Sequence, residues 1–353
     1  MLDHLRTLAA AIPMLAAAGM AQAQDVTWQI PTSVPEGSPY FVNFLERFAD
    51  NVDALTAGRV EIEPFGAGVL VPALEVYKGV QDGVIKAGHS TPSYLVNQNP
   101  KNAIFSGFPG GMGPEAYITW IYEDGGKEAL YEMRAEEGLK SLVVGIGSSE
   151  IMAHSNVPVQ TAEDLKGLKY RTSGPWAEVM RDYFGAVPTV VPPGEIYTLL
   201  QRKGVDLIEW GPPSGNLPEG FHEAAKYIIV PGVHQPTFLW EVVMKQETWD
   251  ALDDDLKPLL EKAADLTTMQ ALLHFYSEDL KALETYRSGK NEIITLDPAF
   301  VDELSEAGVD WITKKAAEQS DAGAPEMAEL LENYLAFQTR WEAESAYLIR
   351  NED

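Results

Sequence analysis

Residues Lys166 to Pro213 read KGLKYRTSGPWAEVMRDYFGAVPTVVPPGEIYTLLQRKGVDLIEWGPP, and the alternation inside them sets the fold class. Leu168 to Thr172 is a short extended run after a glycine turn, and Ala177 to Phe184 puts Val179, Met180, Tyr183 and Phe184 at helical spacing. Val187 to Val191 is rich in β-branched residues and stops at Pro192-Pro193-Gly194, after which Ile196, Leu199 and Leu200 line a second short helix. Val205 to Trp210 then returns as a strand. In such α/β units ligands sit outside the carboxyl ends of strands, where Arg171 and the pair Glu209-Trp210 both stand. An arginine there offers a planar fork that fits a carboxylate. The competing reading is an ordinary surface arginine, because most surface ion pairs are energetically near neutral.

The same alternation extends to both sides. Val26 to Pro31 is a strand, Phe41 to Thr56 an amphipathic helix with Phe44, Leu45, Phe48, Val52 and Leu55 on one stripe, and Val60 to Phe65 the next strand. The helix from Ala73 to Asp82 precedes a strand at Ala87 to Ser90, so Tyr94 follows a strand end. Ile118 to Leu139 reads as helix and Leu142 to Ile146 as a strand crossing into a second domain. Tyr227 to Val230 is a strand ending at PGVHQP, 231–236, and Phe238 to Met244 returns to the first domain. From Gln246 the pattern is helical for some 40 residues, long enough to cross both domains. Ile293 to Leu296 and a helix from Pro298 follow, and the last helix opens at Pro325 and runs to about Ala346 with the aromatic stripe Tyr334, Phe337 and Trp341.

Composition limits the function classes. The first 23 residues read as a secretory signal: Arg6, an apolar stretch from Leu8 to Met20, then Ala21-Gln22-Ala23 as a cleavage site. That run is too short to span a bilayer, for which roughly 20 apolar residues are needed. The chain has no cysteine, so disulfide and thiol chemistry are excluded. With 53 acidic residues against 26 Lys and Arg, the net charge of −27 repels nucleic acid and anionic membranes. About 330 residues after the signal favour two domains. The expected division is 24–146 with 236–265, 147–235 with 266–324, and a C-terminal helix over 325–353. Gly145-x-Gly147 lacks the third glycine of a dinucleotide fingerprint, and His89, His154, His222, His234 and His274 show no metal-site spacing.

Four segments in order, GLKYR, PPGEIYTLLQRKGVD, IEWGPP and AAKYIIVPGVHQP, resemble the solute-binding receptors of TRAP transporters, in particular their α-keto-acid-binding branch. The resemblance covers nearly the whole chain after the signal. It implies a periplasmic, two-domain α/β binding-protein fold with a ligand cleft between the domains. It also implies a small carboxylate ligand (a 2-oxo or 2-hydroxy acid) and TRAP membrane permease subunits as partners. Arg171 matches the arginine that pairs with the substrate carboxylate, and Tyr94 the aromatic hydroxyl over the ligand. Glu209 and Trp210 match the acid and main-chain carbonyl that help hold a hard cation such as sodium or calcium, which bridges to the ligand. The family pattern has a metal-binding glutamine where this chain has Glu150, and a glutamate where it has Gln235. The two types look exchanged, which keeps the donor set and its charge. Trp176 departs as well, being a bulky ring near the cleft that either narrows the pocket or stacks on a larger ligand. The branch uses its terminal helix to hold a dimer, so a homodimer is expected as a possibility.

Two other functions fit parts of the same sequence. Glu150 and Glu209 could pair for glycoside hydrolysis, with tryptophans as sugar platforms. A sugar or peptide receptor of an ATP-driven transporter would share the fold. The reading preferred here has no catalysis.

Overall fold

The computed structural model describes residues 26–345; the expected signal, 1–23, and the tail beyond 345 lie outside the described residues. In chain order the strands are β1 (Val26–Pro31), β2 (Val60–Phe65), β3 (Ala87–Ser90), β4 (Leu139–Gly147), β5 (Ala153–Ser155), β6 (Lys169–Arg171), β7 (Val187–Thr189), β8 (Leu207–Ile208), β9 (Tyr227–Val230), β10 (Phe238–Lys245) and β11 (Glu292–Thr295). β1 and β2 pair in parallel, and a single bridge from Thr32 to His89 connects them to a second sheet of order β3-β10-β4. The third sheet has the order β11-β9-β5-β8-β6-β7.

The register of this third sheet decides where its polar residues go. β6 and β8 run parallel with Arg171 opposite Ile208, so Arg171 and the following Glu209 emerge at the same edge. The ladder continues one step further, with the Glu209 N–H donating to the Arg171 carbonyl at 3.1 Å. β5 runs against β8, so the residues before it, including Glu150, reach that edge too. β9 runs against β5, which brings the turn 231–235 there from the opposite direction. Gly232 is required in that turn: a Cβ would lie 1.8 Å from the Glu150 carbonyl oxygen, so any side chain would force the two backbones apart.

Apolar side chains fill both sides of this frame. Phe44, Trp240 and Phe275 are buried around the first two sheets, and Trp120, Tyr170, Trp176 and Trp311 belong to a second cluster that reaches the third sheet. The helix expected from Gln246 is two helices, Gln246–Asp250 and Lys257–Ser288. Pro258 explains the break: it has no N–H, its ring would clash with the carbonyl four residues back, and it sits in the first turn of the second helix. The second helix packs on β4, on the helix Arg47–Thr56 and on the short helix Pro213–Asn216. At about 1.5 Å per residue its 32 residues span roughly 48 Å. Its Asp279 accepts from the Ser214 N–H at 2.8 Å and hydroxyl at 2.6 Å, and from the Ser148 hydroxyl.

The helix expected over 118–139 is likewise Pro114–Glu123 and Gly126–Glu136, parted at Gly125, whose φ of +90° is left-handed. The short β5 had no counterpart among the expected strands. The last helix, Glu326–Glu344, docks on its own core. Tyr334 accepts from the Met112 N–H at 2.7 Å, and the Trp120 indole donates to Asn333 at 2.7 Å. An open groove of about 970 Å³ remains between it and the preceding helix, Pro298–Asp321.

Candidate ligand and cation site

Where the strand ends converge they enclose a cavity of about 30 Å³. Glu150, Arg171, Glu209, Trp210 and Gln235 come to it from the third sheet. Opposite them stand Tyr94, beyond the end of β3, with Tyr40 and the β10 residues Phe238 and Trp240. The predicted residues Arg171, Tyr94, Glu150, Glu209, Trp210 and Gln235 are therefore in one place. Trp176 is buried behind them, edge-on to Tyr170 with centroids 6.4 Å apart and 5.6 Å from the His234 ring.

Arg171 is fully buried, which an ordinary surface arginine is not. Its Nη1 donates to the Glu209 carbonyl at 2.9 Å and approaches the Glu209 carboxylate at 3.4 Å, and its Nη2 donates to the Val191 carbonyl at 3.2 Å. Its Nε is buried without a partner. The guanidinium carbon lies 5.6 Å from the centre of the Trp210 ring. The arginine is thus positioned by three acceptors and still has a donor to give. The Ser173 N–H, at the start of the helix Gly174–Asp182, holds the Glu209 carboxylate at 3.1 Å. The Trp210 carbonyl receives the Tyr40 hydroxyl at 3.4 Å, and the Gln235 amide donates to the Ser106 carbonyl at 2.8 Å.

His234 is the residue that sequence spacing passed over. Its Nε2 lies 3.1 Å from Glu150 Oε2, with both side chains buried, and ligand atoms of Glu150, Glu209 and His234 all fall within 4.8 Å of one another. The spacing of the histidines gave no metal site among themselves, but the fold brings one of them to two acids. The residues lie 84 apart in sequence, and only the antiparallel pairing of β5 with β9 joins them. The usable signal was PGVHQP directly after a strand.

Burial governs the charges. It pushes Glu150 up to about 8 against the pull of Arg171, and raises Glu209 against the same pull, with Glu150 adding to the rise. Burial lowers His234 to about 4 and raises the Tyr94 hydroxyl to about 12. Two buried carboxyl groups, Glu150 held largely protonated by its burial, therefore lie near one guanidinium beside a neutral imidazole. That excess of acceptor oxygen suits a cation, which would return Glu150 to its ionised form.

Residues 30–319 match the DctP family model, described as bacterial extracellular solute-binding protein, family 7. A monocarboxylate 2-oxoacid-binding periplasmic protein of Nostoc is 26% identical over 296 residues, covering 84% of this chain and 81% of the relative. A TRAP periplasmic solute binding protein from Pseudoalteromonas atlantica, solved with bound sodium and pyruvate, superposes with a TM-score of 0.84 at 26% identity, covering 93% of this chain and 100% of that one. A second, from Colwellia psychrerythraea with bound calcium and pyruvate, gives 0.84 at 26% identity over 92% of this chain and 99% of that one. The fold is accordingly the mixed α/β, two-domain binding-protein fold. This chain belongs to the bacterial extracellular solute-binding proteins of family 7.

Proposed function

We propose that the protein is the periplasmic receptor of a TRAP transporter that binds a compact 2-oxo or 2-hydroxy monocarboxylate together with a cation and delivers it to the membrane permease. The observation that carries this reading is the fully buried Arg171, which lines the cavity beside the two buried acids Glu150 and Glu209 and keeps an Nε without a partner. The guanidinium takes the carboxylate of the ligand, and Tyr94 gives it a hydroxyl. A cation such as sodium or calcium, held by Glu150, Glu209, the Trp210 carbonyl and Gln235, takes the keto or hydroxy oxygen. Oxygen donors of this kind are what such ions require. Trp176 supports the site from behind instead of stacking on the ligand, and the tight cavity favours a compact acid. The names of the Nostoc, Pseudoalteromonas and Colwellia relatives support the same ligand class.

The lobes on either side of the cavity are assigned as 24–146 with 236–265 and 147–235 with 266–324. The protein is a carrier and catalyses no reaction. Calorimetry with short 2-oxo acids, on protein dialysed against chelator and then supplied with sodium or calcium, tests the proposal. Binding should appear or tighten with the cation. Equal affinity with and without any cation, or preference for a neutral sugar, would overturn it.

The groove beside the last helix has Ala316, Ala317, Ala328 and Ala343 among its walls, small side chains that let another helix approach closely. We assign this face to a second copy of the chain. Sedimentation should show a dimer that Ala328→Glu dissociates; a concentration-independent monomer would remove the assignment.

A further inference from the structure

We infer that His234 is a side-chain ligand of the cation, forming with Glu150 and Glu209 a mixed nitrogen and oxygen donor set that prefers a borderline divalent ion, of the cobalt or zinc class, to sodium. The inference builds on the cation-assisted receptor proposed above and goes beyond it, because that reading needs oxygen donors only.

Geometry supports it first. Three atoms within 4.8 Å of one another have a point no more than about 2.8 Å from each, so small movements give bonding distances to all three. Two ligands about 2.1 Å from one ion at a right angle are roughly 3.0 Å apart, and the Nε2 to Oε2 separation of 3.1 Å has the size of such an edge. The imidazole is also held in place. Trp176 flanks its ring, Gly232 lets the turn press on the Glu150 backbone, and the Glu150 N–H donates to the Gln235 carbonyl at 3.3 Å. His234 Nδ1 is buried with no partner, so the ring's polar contact among the described residues is the one that Nε2 makes with Glu150. The donor chemistry then sets the class of ion. Sodium, calcium and magnesium are bound through oxygen, whereas imidazole suits the transition series and zinc.

The test uses the whole mature protein stripped with chelator, first without any organic acid. Manganese(II) bound to the wild type should show nitrogen hyperfine coupling in its electron spin-echo signal. Calorimetry should rank cobalt and zinc above manganese, calcium and sodium. His234→Gln, checked for unchanged thermal unfolding, should weaken the first group while leaving calcium and sodium nearly unaffected. The weakening should be at least the roughly 10- to 100-fold that losing a mere supporting group of a metal site causes. Bound manganese without nitrogen coupling, or no preference over sodium, would overturn the inference; the spectroscopic arm needs no variant to fold. Acid binding is then measured in sodium alone. Normal acid binding without nitrogen coupling sinks the His234 ligand and leaves the receptor function standing. Nitrogen-coupled manganese without acid binding under any ion sinks the receptor reading and leaves the ligand.

Discussion

Arg171→Met should weaken binding of a short 2-oxo acid by roughly 3–5 kcal/mol, or two to three orders of magnitude and more, because it leaves a buried carboxylate without its charge partner. Methionine keeps most of the packing, so the change isolates the fork. Val191 and the Glu209 carbonyl each lose a donor, and Glu209 loses its only close cation among the described residues. Some loss of thermal stability should therefore accompany the loss of affinity. Arg171→Lys should fall between the two, since a point charge keeps the attraction but cannot make the paired hydrogen bonds or reach all three acceptors. The measurement is calorimetric affinity of the three proteins at fixed cation concentration. An unchanged affinity in Arg171→Met would end the carboxylate assignment, whatever the fate of the cation.

The part of the site that was legible from the residues themselves stands at strand ends. Arg171 closes β6 and Glu209 follows β8, whereas Tyr94, Glu150 and Gln235 came from the family resemblance. Local chemistry also carries the helix breaks that periodicity missed, since Pro258 forbids a continuous helix from Gln246 and Gly125 interrupts the one before β4. Periodicity counts apolar positions and is blind to a missing N–H or a left-handed φ. What sequence could not supply is strand order. His234 meets Glu150 only because β9 lies antiparallel beside β5, a strand of three residues with too little pattern to detect. Trp176 shows the converse limit. It stands only a few residues after Arg171 in sequence, yet the helix Gly174–Asp182 turns it into the core behind the site.

The fold beneath the site depends on a second buried arginine. Arg134 and Glu241 have fully buried side chains, and Arg134 Nη2 donates to Glu241 Oε1 at 2.6 Å while Nε lies 3.0 and 3.2 Å from the two carboxylate oxygens. Asn102 and Glu137 accept two further guanidinium protons at 2.8 and 3.0 Å, and Tyr77 and Ser141 donate to Glu241 at 2.7 and 2.5 Å. Burial disfavours the charge on Arg134, but Glu241 outweighs it and the net effect holds the proton more firmly. Glu241 sits on β10 opposite Ser90 and Val143, immediately after the bulge that follows the cavity residue Trp240. Arg134→Met would leave that carboxylate buried without a cation and should destabilise the protein by roughly 3–5 kcal/mol. Removing the charge on both sides, Arg134→Met with Glu241→Gln, should be less damaging than the two single changes added together, because neither partner is then left ionised in the interior. Urea unfolding of the four proteins, read separately by near-ultraviolet and far-ultraviolet dichroism, supplies the comparison. Additive losses would mean that the two residues stabilise the sheet independently, and a loss below about 1 kcal/mol in Arg134→Met would place the pair among those that contribute as little as exposed ion pairs do.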